Sequence, residues 1–68
     1  MEFKLLTEFI ELDNVLKALH LVVNGAEAKQ QIQAGAVAVN GAVESRVRRK
    51  LRAGDFVEFG GQKIDIVA

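Results

Sequence analysis

The stretch NGAEAKQQIQAGAVAVNGAV, residues 24–43, decides how the rest of the chain is read. Asn24 is a residue type that caps helix starts. Glu27 follows it at the capping-box spacing, with Asn in place of Ser or Thr. Gly35 stands where a helix ending in a left-handed residue wants glycine. These marks predict a short helix over about 25–34. Its inner face can hold only Ala28, Gln31 and Ile32, while Lys29, Gln30 and Gln33 point elsewhere. Directly after it, Asn40-Gly41 is the strongest two-residue hairpin signal and separates two short apolar runs. Val37 and Val39 share one face, whereas Val43 falls on the other across so tight a loop.

Upstream, FIELDNVLKALH carries Phe9, Leu12, Val15, Leu16 and Leu19 at spacings of three and four. That apolar stripe predicts a first helix over about 11–20. Glu8, Glu11 and Asp13 crowd its start, and Lys17 and His20 sit near its end, as the helix dipole favours. Residues 2–6 alternate weakly and read as a short strand that Leu6 interrupts. Downstream, Gly54-Asp55 marks a turn, and FVEF and KIDIV are strands joined by Gly60-Gly61. The order is strand, helix, helix, strand, strand, basic loop, strand, strand. It predicts an α+β fold, two short helices on a small, mostly antiparallel sheet, with residues 1–68 forming one domain.

Composition narrows the function. A chain of 68 residues buries only about 60% of the surface its unfolded form exposes, so the core is small. It contains no cysteine, which excludes disulfides and thiolate metal sites. An unbridged domain of this size fits the cytoplasm. Met1-Glu2-Phe3-Lys4 lacks the character of a signal peptide, and no apolar run approaches a membrane span. The chain has one histidine, His20, and one serine, Ser45. A catalytic triad would need both to converge with a carboxylate, yet one sits at a helix end and the other beside arginines. No metal-ligand spacing and no phosphate-cradling glycine loop is present. Gly25 opens a helix whose N-terminus could meet a phosphate, and a tight helix entry explains it equally well. The expectation is a protein without catalytic residues, metal, cofactor, small-molecule substrate or membrane. Phe3, Phe9, Phe56 and Phe59 read as core packing rather than as platforms for bases.

Charge is where the sequence is most informative. The formal net charge is +0, but residues 1–28 carry −3, residues 29–52 carry +5 and residues 53–68 carry −2. Arg46, Arg48, Arg49, Lys50 and Arg52 fall within seven residues. In an extended backbone Arg46, Arg48, Lys50 and Arg52 share one side, while Val47 and Leu51 face the other with Arg49 between them. The apolar pair then pins the segment and the cations face solvent. A like-charged run is ordinarily a solvated, self-repelling face. The interleaved apolar residues favour an anion-binding surface instead, and arginine offers paired donors to phosphate.

At these residues the chain resembles the S-four-type RNA-binding domain, the alpha-L RNA-binding motif. The resemblance rests on Leu12, Asp13 and Leu16, on Ala28, Lys29 and Ile32, on Gly35, Val37, Val39, Asn40 and Gly41, and on Gly54 and Asp55. It spans about residues 11–59 and fits the small stand-alone bacterial members. It implies that the second helix and the loop beyond the Asn-Gly turn form an RNA face. That carries over onto Lys29, Arg46, Arg48, Arg49 and Lys50, and the alternation adds Arg52. Many members open the second helix with Ser-Arg where this chain has Asn24-Gly25, and carry an aliphatic residue where it has Gln31. The expected weight therefore shifts onto residues 46–52.

The function expected is non-enzymatic binding of structured RNA, ribosomal RNA foremost, by a monomer. Cations would hold phosphates, and Gln30, Gln33 and Ser45 would add local hydrogen bonds. Few aromatics favour recognition by shape over a base code. Four to six phosphate contacts would make log K fall against log salt with a slope of roughly −3 to −5. Replacing Arg46, Arg48 and Arg49 by Ala would weaken binding without unfolding the domain. The alternative is an adaptor that docks the basic face on an acidic protein.

Overall fold

A computed structural model describes residues 1–68. At the Asn-Gly turn, Asn40 and Gly41 both take positive φ, 53° and 86°. This is the backbone of a primed hairpin turn, whose twist matches that of the strands it joins. It links β3 (Val37–Val39) to β4 (Ala42–Val43), with Val39 opposite Ala42 and Ala38 opposite Val43. The parity change seen in the sequence is real: Val37 and Val39 are buried, and Val43 is exposed.

The other strands are β1 (Glu2–Lys4), β2 (Ile10–Glu11), β5 (Lys50–Leu51), β6 (Phe56–Phe59) and β7 (Gln62–Val67). A five-stranded sheet has the order β1-β7-β6-β3-β4, antiparallel except where β1 pairs parallel with β7. β2 and β5 form a separate two-stranded antiparallel ribbon that sequence patterns did not reveal.

Helix α1 (Leu12–Ala18) is shorter than its apolar stripe. His20 adopts φ 57°, so the chain leaves the helix there. The N–H of Leu21 donates to Leu16 and that of His20 to Lys17, a Schellman ending with histidine in the left-handed place usually given to glycine. Helix α2 (Gly25–Gln33) ends the same way with Gly35 at φ 81°. Its start is capped as the spacing predicts: the Glu27 N–H donates to Asn24 Oδ1 at 2.9 Å. The reciprocal arm reaches one residue further back, where the Val23 N–H donates to Glu27 Oε1 at 2.9 Å.

Leu12, Val15 and Leu16 of α1 and Ala28 and Ile32 of α2 pack against Val37, Val39, Val57, Ile64 and Ile66 of the sheet. Val22 and Leu51 complete this core. Phe3 and Phe59 pack on its margin. Phe9 and Phe56 lie outside it, contrary to the core role expected of all four phenylalanines. Their faces carry cations instead, Lys50 and Arg52 over Phe9 and Lys63 over Phe56. No helix is long and apolar enough to cross a membrane.

The Asn-Gly turn is tied to the Gly-Asp turn by side chains. Asn40 Nδ2 donates to Asp55 Oδ1 at 3.0 Å, and the Phe56 N–H donates to Asn40 Oδ1 at 3.0 Å. The second Asp55 oxygen accepts the Arg52 N–H at 2.8 Å. That backbone donor, followed by the Asn40 amide, holds the Asp55 carboxyl below the usual carboxylate range. Its stabilising contribution is therefore present above the unfolded pKa and fades as pH falls through the lower folded value. Asn40→Ala loses both side-chain bonds and puts alanine, which tolerates the left-handed region less well than asparagine, at φ 53°. The expected cost is about 2 kcal/mol, or a fall in Tm of roughly 10 °C. Asn40→Gly, which tolerates the backbone, should lose about half as much in thermal unfolding.

Candidate nucleic-acid interface

The basic stretch is not a free loop. Through the β2–β5 ribbon, Ile10 lies opposite Leu51 and Glu11 opposite Lys50. The pairing runs on into the start of α1. The Leu12 N–H donates to the Arg49 carbonyl at 2.9 Å, and the Asp13 N–H to the Val47 carbonyl at 3.1 Å. Helix geometry leaves the first N–H groups without internal partners, and no side chain caps this helix. The basic stretch supplies the cap from its own backbone.

The backbone is not extended throughout, as the alternation supposed. A turn at Val47–Arg48 brings the Arg49 N–H to the Arg46 carbonyl at 3.3 Å, and only Lys50–Leu51 is strand. Exposure still alternates. Arg46, Arg48, Lys50 and Arg52 are exposed, Val47 and Arg49 are half-buried, and Leu51 is buried. The apolar anchors thus lie where the pattern put them, by a different path of the chain.

Glu44 explains that path. It is the one charged residue that is buried, 8% exposed. Its Oε2 accepts Arg46 Nε at 2.9 Å and the Arg46 backbone N–H at 3.1 Å. Its Oε1 accepts Arg46 Nη2 at 3.0 Å and Arg49 Nη1 at 3.3 Å. The Arg46 side-chain bond is the chief reason that the Glu44 carboxyl is lowered from 4.5 to about 2, against the opposing effect of burial. Arg48 Nε donates to Glu11 Oε2 at 3.1 Å. Lys50 Nζ lies 4.9 Å from the Phe9 ring centroid, and the Arg52 guanidinium carbon lies 5.8 Å from it.

These contacts gather five cations. Arg46, Arg48, Arg49, Lys50 and Arg52, and no other residue, line an open concavity of ≈ 610 Å³. Counting the partnered carboxylates Glu44 and Glu11, the cluster keeps a net charge of +3. Lys29, Gln30 and Gln33 are exposed on α2, but none of them lines this concavity or hydrogen-bonds to the loop. Ser45 is exposed and makes no side-chain hydrogen bond.

Sequence reasoning does not tie Glu44, Glu11 or Phe9 to the basic stretch. Glu44 is the only carboxylate within residues 29–52, and that isolation is the one signal the sequence carries. Glu11 and Phe9 reach the loop only through the ribbon, and no local spacing announces that.

A mostly antiparallel sheet carrying two helices, with cations gathered on the connection that follows an Asn-Gly hairpin, defines a class of small binding domains. A family model described as S4 domain matches residues 3–67, so the chain belongs to the S4 domain family. That match is wider than the 11–59 resemblance and takes in both β1 and β7. Over 59 residues the chain is 44% identical to the Escherichia coli (strain K12) protein called "Putative RNA-binding protein YbcJ", covering 87% of this chain and 84% of that one. The YbcJ protein of Shigella flexneri matches with the same 44% identity and the same coverage. The solution structure of Escherichia coli YbcJ, described as revealing an alpha-L motif involved in RNA-binding, superposes with a TM-score of 0.74. It shares 41% identity, over 98% of this chain and 86% of that chain. The alpha-L fold expected from the resemblance is the fold observed.

Because the folded Glu44 pKa lies below its unfolded value, its contribution is complete above pH 4.5 and lost as pH falls toward about 2. Glu44→Gln leaves Arg46 and Arg49 without their shared anion, so the variant should melt several degrees lower at neutral pH. It should also show a flatter loss of stability on acidification than the parent. Parallel thermal scans from neutral to acidic pH check both.

Proposed function

We propose that this chain is a non-enzymatic RNA-binding module that grips structured RNA, ribosomal RNA first among candidates, through the phosphates presented to its basic concavity. The observation that carries the reading is the gathering of five cations around one open concavity in a chain of net charge +0. Membership of the S4 domain family and the RNA-binding named for its relatives support it. A monomer acting in the cytoplasm is part of the same proposal.

The side chains divide the work. Arg48, Lys50 and Arg52 project into solvent and position phosphate oxygens. Arg46 and Arg49 spend donors on Glu44 and offer the remaining ones, so they shape the cradle as well as charge it. Lys29 on α2 is the cation available for a second line of contact, with Gln30 and Gln33 beside it.

A cluster of net charge +3 neutralises about three phosphates, so log K should fall against log salt with a slope of roughly −2 to −3. This is shallower than five uncompensated cations would give. A slope near zero would remove phosphate contact as the mechanism. Arg46 and Arg49 are poor choices for substitution, because their loss strands the buried Glu44 carboxylate. Lys50→Ser with Arg52→Ser is better: it should reduce the slope by about two and leave the fold intact, read by titration of a labelled RNA hairpin at several salt concentrations. Lys29→Ala should reduce the slope by about one if α2 shares the grip.

A second reading, an adaptor for an acidic protein, rests on the same concavity. Purification of the chain from cells with and without nuclease separates the two. Bound nucleic acid released by nuclease supports the first reading, and a co-purifying acidic protein that survives nuclease supports the second.

A further inference from the structure

Beside the basic concavity lies a second, chemically different depression. It is an open groove of ≈ 470 Å³ walled chiefly by Phe3, Leu5, Phe9 and Ile10. Leu6, 95% exposed, and the exposed Asn14, whose amide makes no hydrogen bond, also line it. The volume falls within the ~300–1,000 Å³ of small-ligand clefts, and the makeup, apolar walls with a few polar groups, is theirs also.

Two residues of the groove touch cations of the concavity. Phe9 lines the groove while Lys50 and Arg52 sit over its ring. Glu11 lines the groove and pairs with Arg48. The apolar groove and the five-cation concavity are therefore neighbours, joined through Phe9 and Glu11. A surface that is apolar and aromatic on one side of these residues and cationic on the other matches the two halves of one nucleotide, a flat base and its phosphate. An apolar protein segment would use the groove and leave the adjoining cations unmatched.

We propose that the groove receives one unstacked base of the bound RNA, stacked on Phe9, while Lys50 and Arg52 hold the adjoining phosphate. Asn14 and Glu11 offer hydrogen-bonding groups to the base edge, and Leu6 closes over its outer face. The site would make the chain a reader of junctions, where a single strand leaves a duplex. This deepens the RNA-binding reading and rests on it.

The test compares three RNAs binding the full chain at fixed salt: a blunt hairpin, the hairpin with a short single-stranded extension, and that extension with abasic sugars. The extension with bases should bind roughly tenfold tighter than the abasic one, since base stacking on an aromatic residue is worth about that much. In Phe9→Leu, and independently in the fully exposed Leu6→Ser, the ratio of the two affinities should fall toward one. Taking the ratio removes any effect of these variants on hairpin binding itself. Equal affinity for the base-bearing and abasic extensions, with salt-dependent hairpin binding intact, overturns the base site. Failure to bind the hairpin at all overturns the RNA-binding reading, and the base site with it.

Discussion

Two peptide N–H groups, those of Leu12 and Asp13, donate to the carbonyl oxygens of Arg49 and Val47. The rest of the molecule depends on this exchange. Helix α1 has only seven residues, far below the length at which a helix is stable alone, and it has no side-chain cap. The basic stretch completes its first turn, and that turn carries Leu12, Val15 and Leu16 into the core. In return the stretch gains a fixed backbone, so its cations are presented from a ribbon and a turn rather than from a mobile loop. Because the donors and acceptors are main-chain atoms, these two bonds do not depend on which side chains stand at positions 47 and 49.

Charge repulsion is the price of that presentation, and the molecule offsets it in two ways. Glu44, itself buried, pairs from the inner side with both Arg46 and Arg49. Glu11 and the face of Phe9, both partly buried, quiet the outer cations. Neither measure removes the positive field. The inner one fixes geometry at the expense of donors, and the outer one leaves the guanidinium and ammonium groups available.

Much of this architecture was legible in the order of residues. Asn24 with Glu27, Gly35 and Asn40-Gly41 are local signals, and local structure obeyed them. The basic face was legible too, since Val47 and Leu51 alternate with cations whichever path the backbone takes. What stayed hidden are contacts between distant segments. A two-residue ribbon is too short to show a period, so β2 and β5 passed unseen, and with them the meeting of Phe9 and Glu11 with the loop. The phenylalanines were assigned to the core on composition, yet Phe9 and Phe56 serve as beds for cations. The role of Glu44 was hidden too, because spacing along the chain does not reveal that a side chain turns inward.

The parallel pairing of β1 with β7 sets an order of assembly. Glu2 aligns with Asp65 and Lys4 with Val67, so the earliest strand to be synthesised has no partner until the latest one is made. The helices, the Asn-Gly hairpin and the β6–β7 hairpin are local and close cheaply, whereas this contact closes nearly the whole chain. β1 is thus the last strand that a growing chain can dock. Phe3 and Leu5, which wall the apolar groove, arrive with it. The groove is therefore complete only once the C-terminal strand is present to receive β1, although most of its lining lies in the first eleven residues.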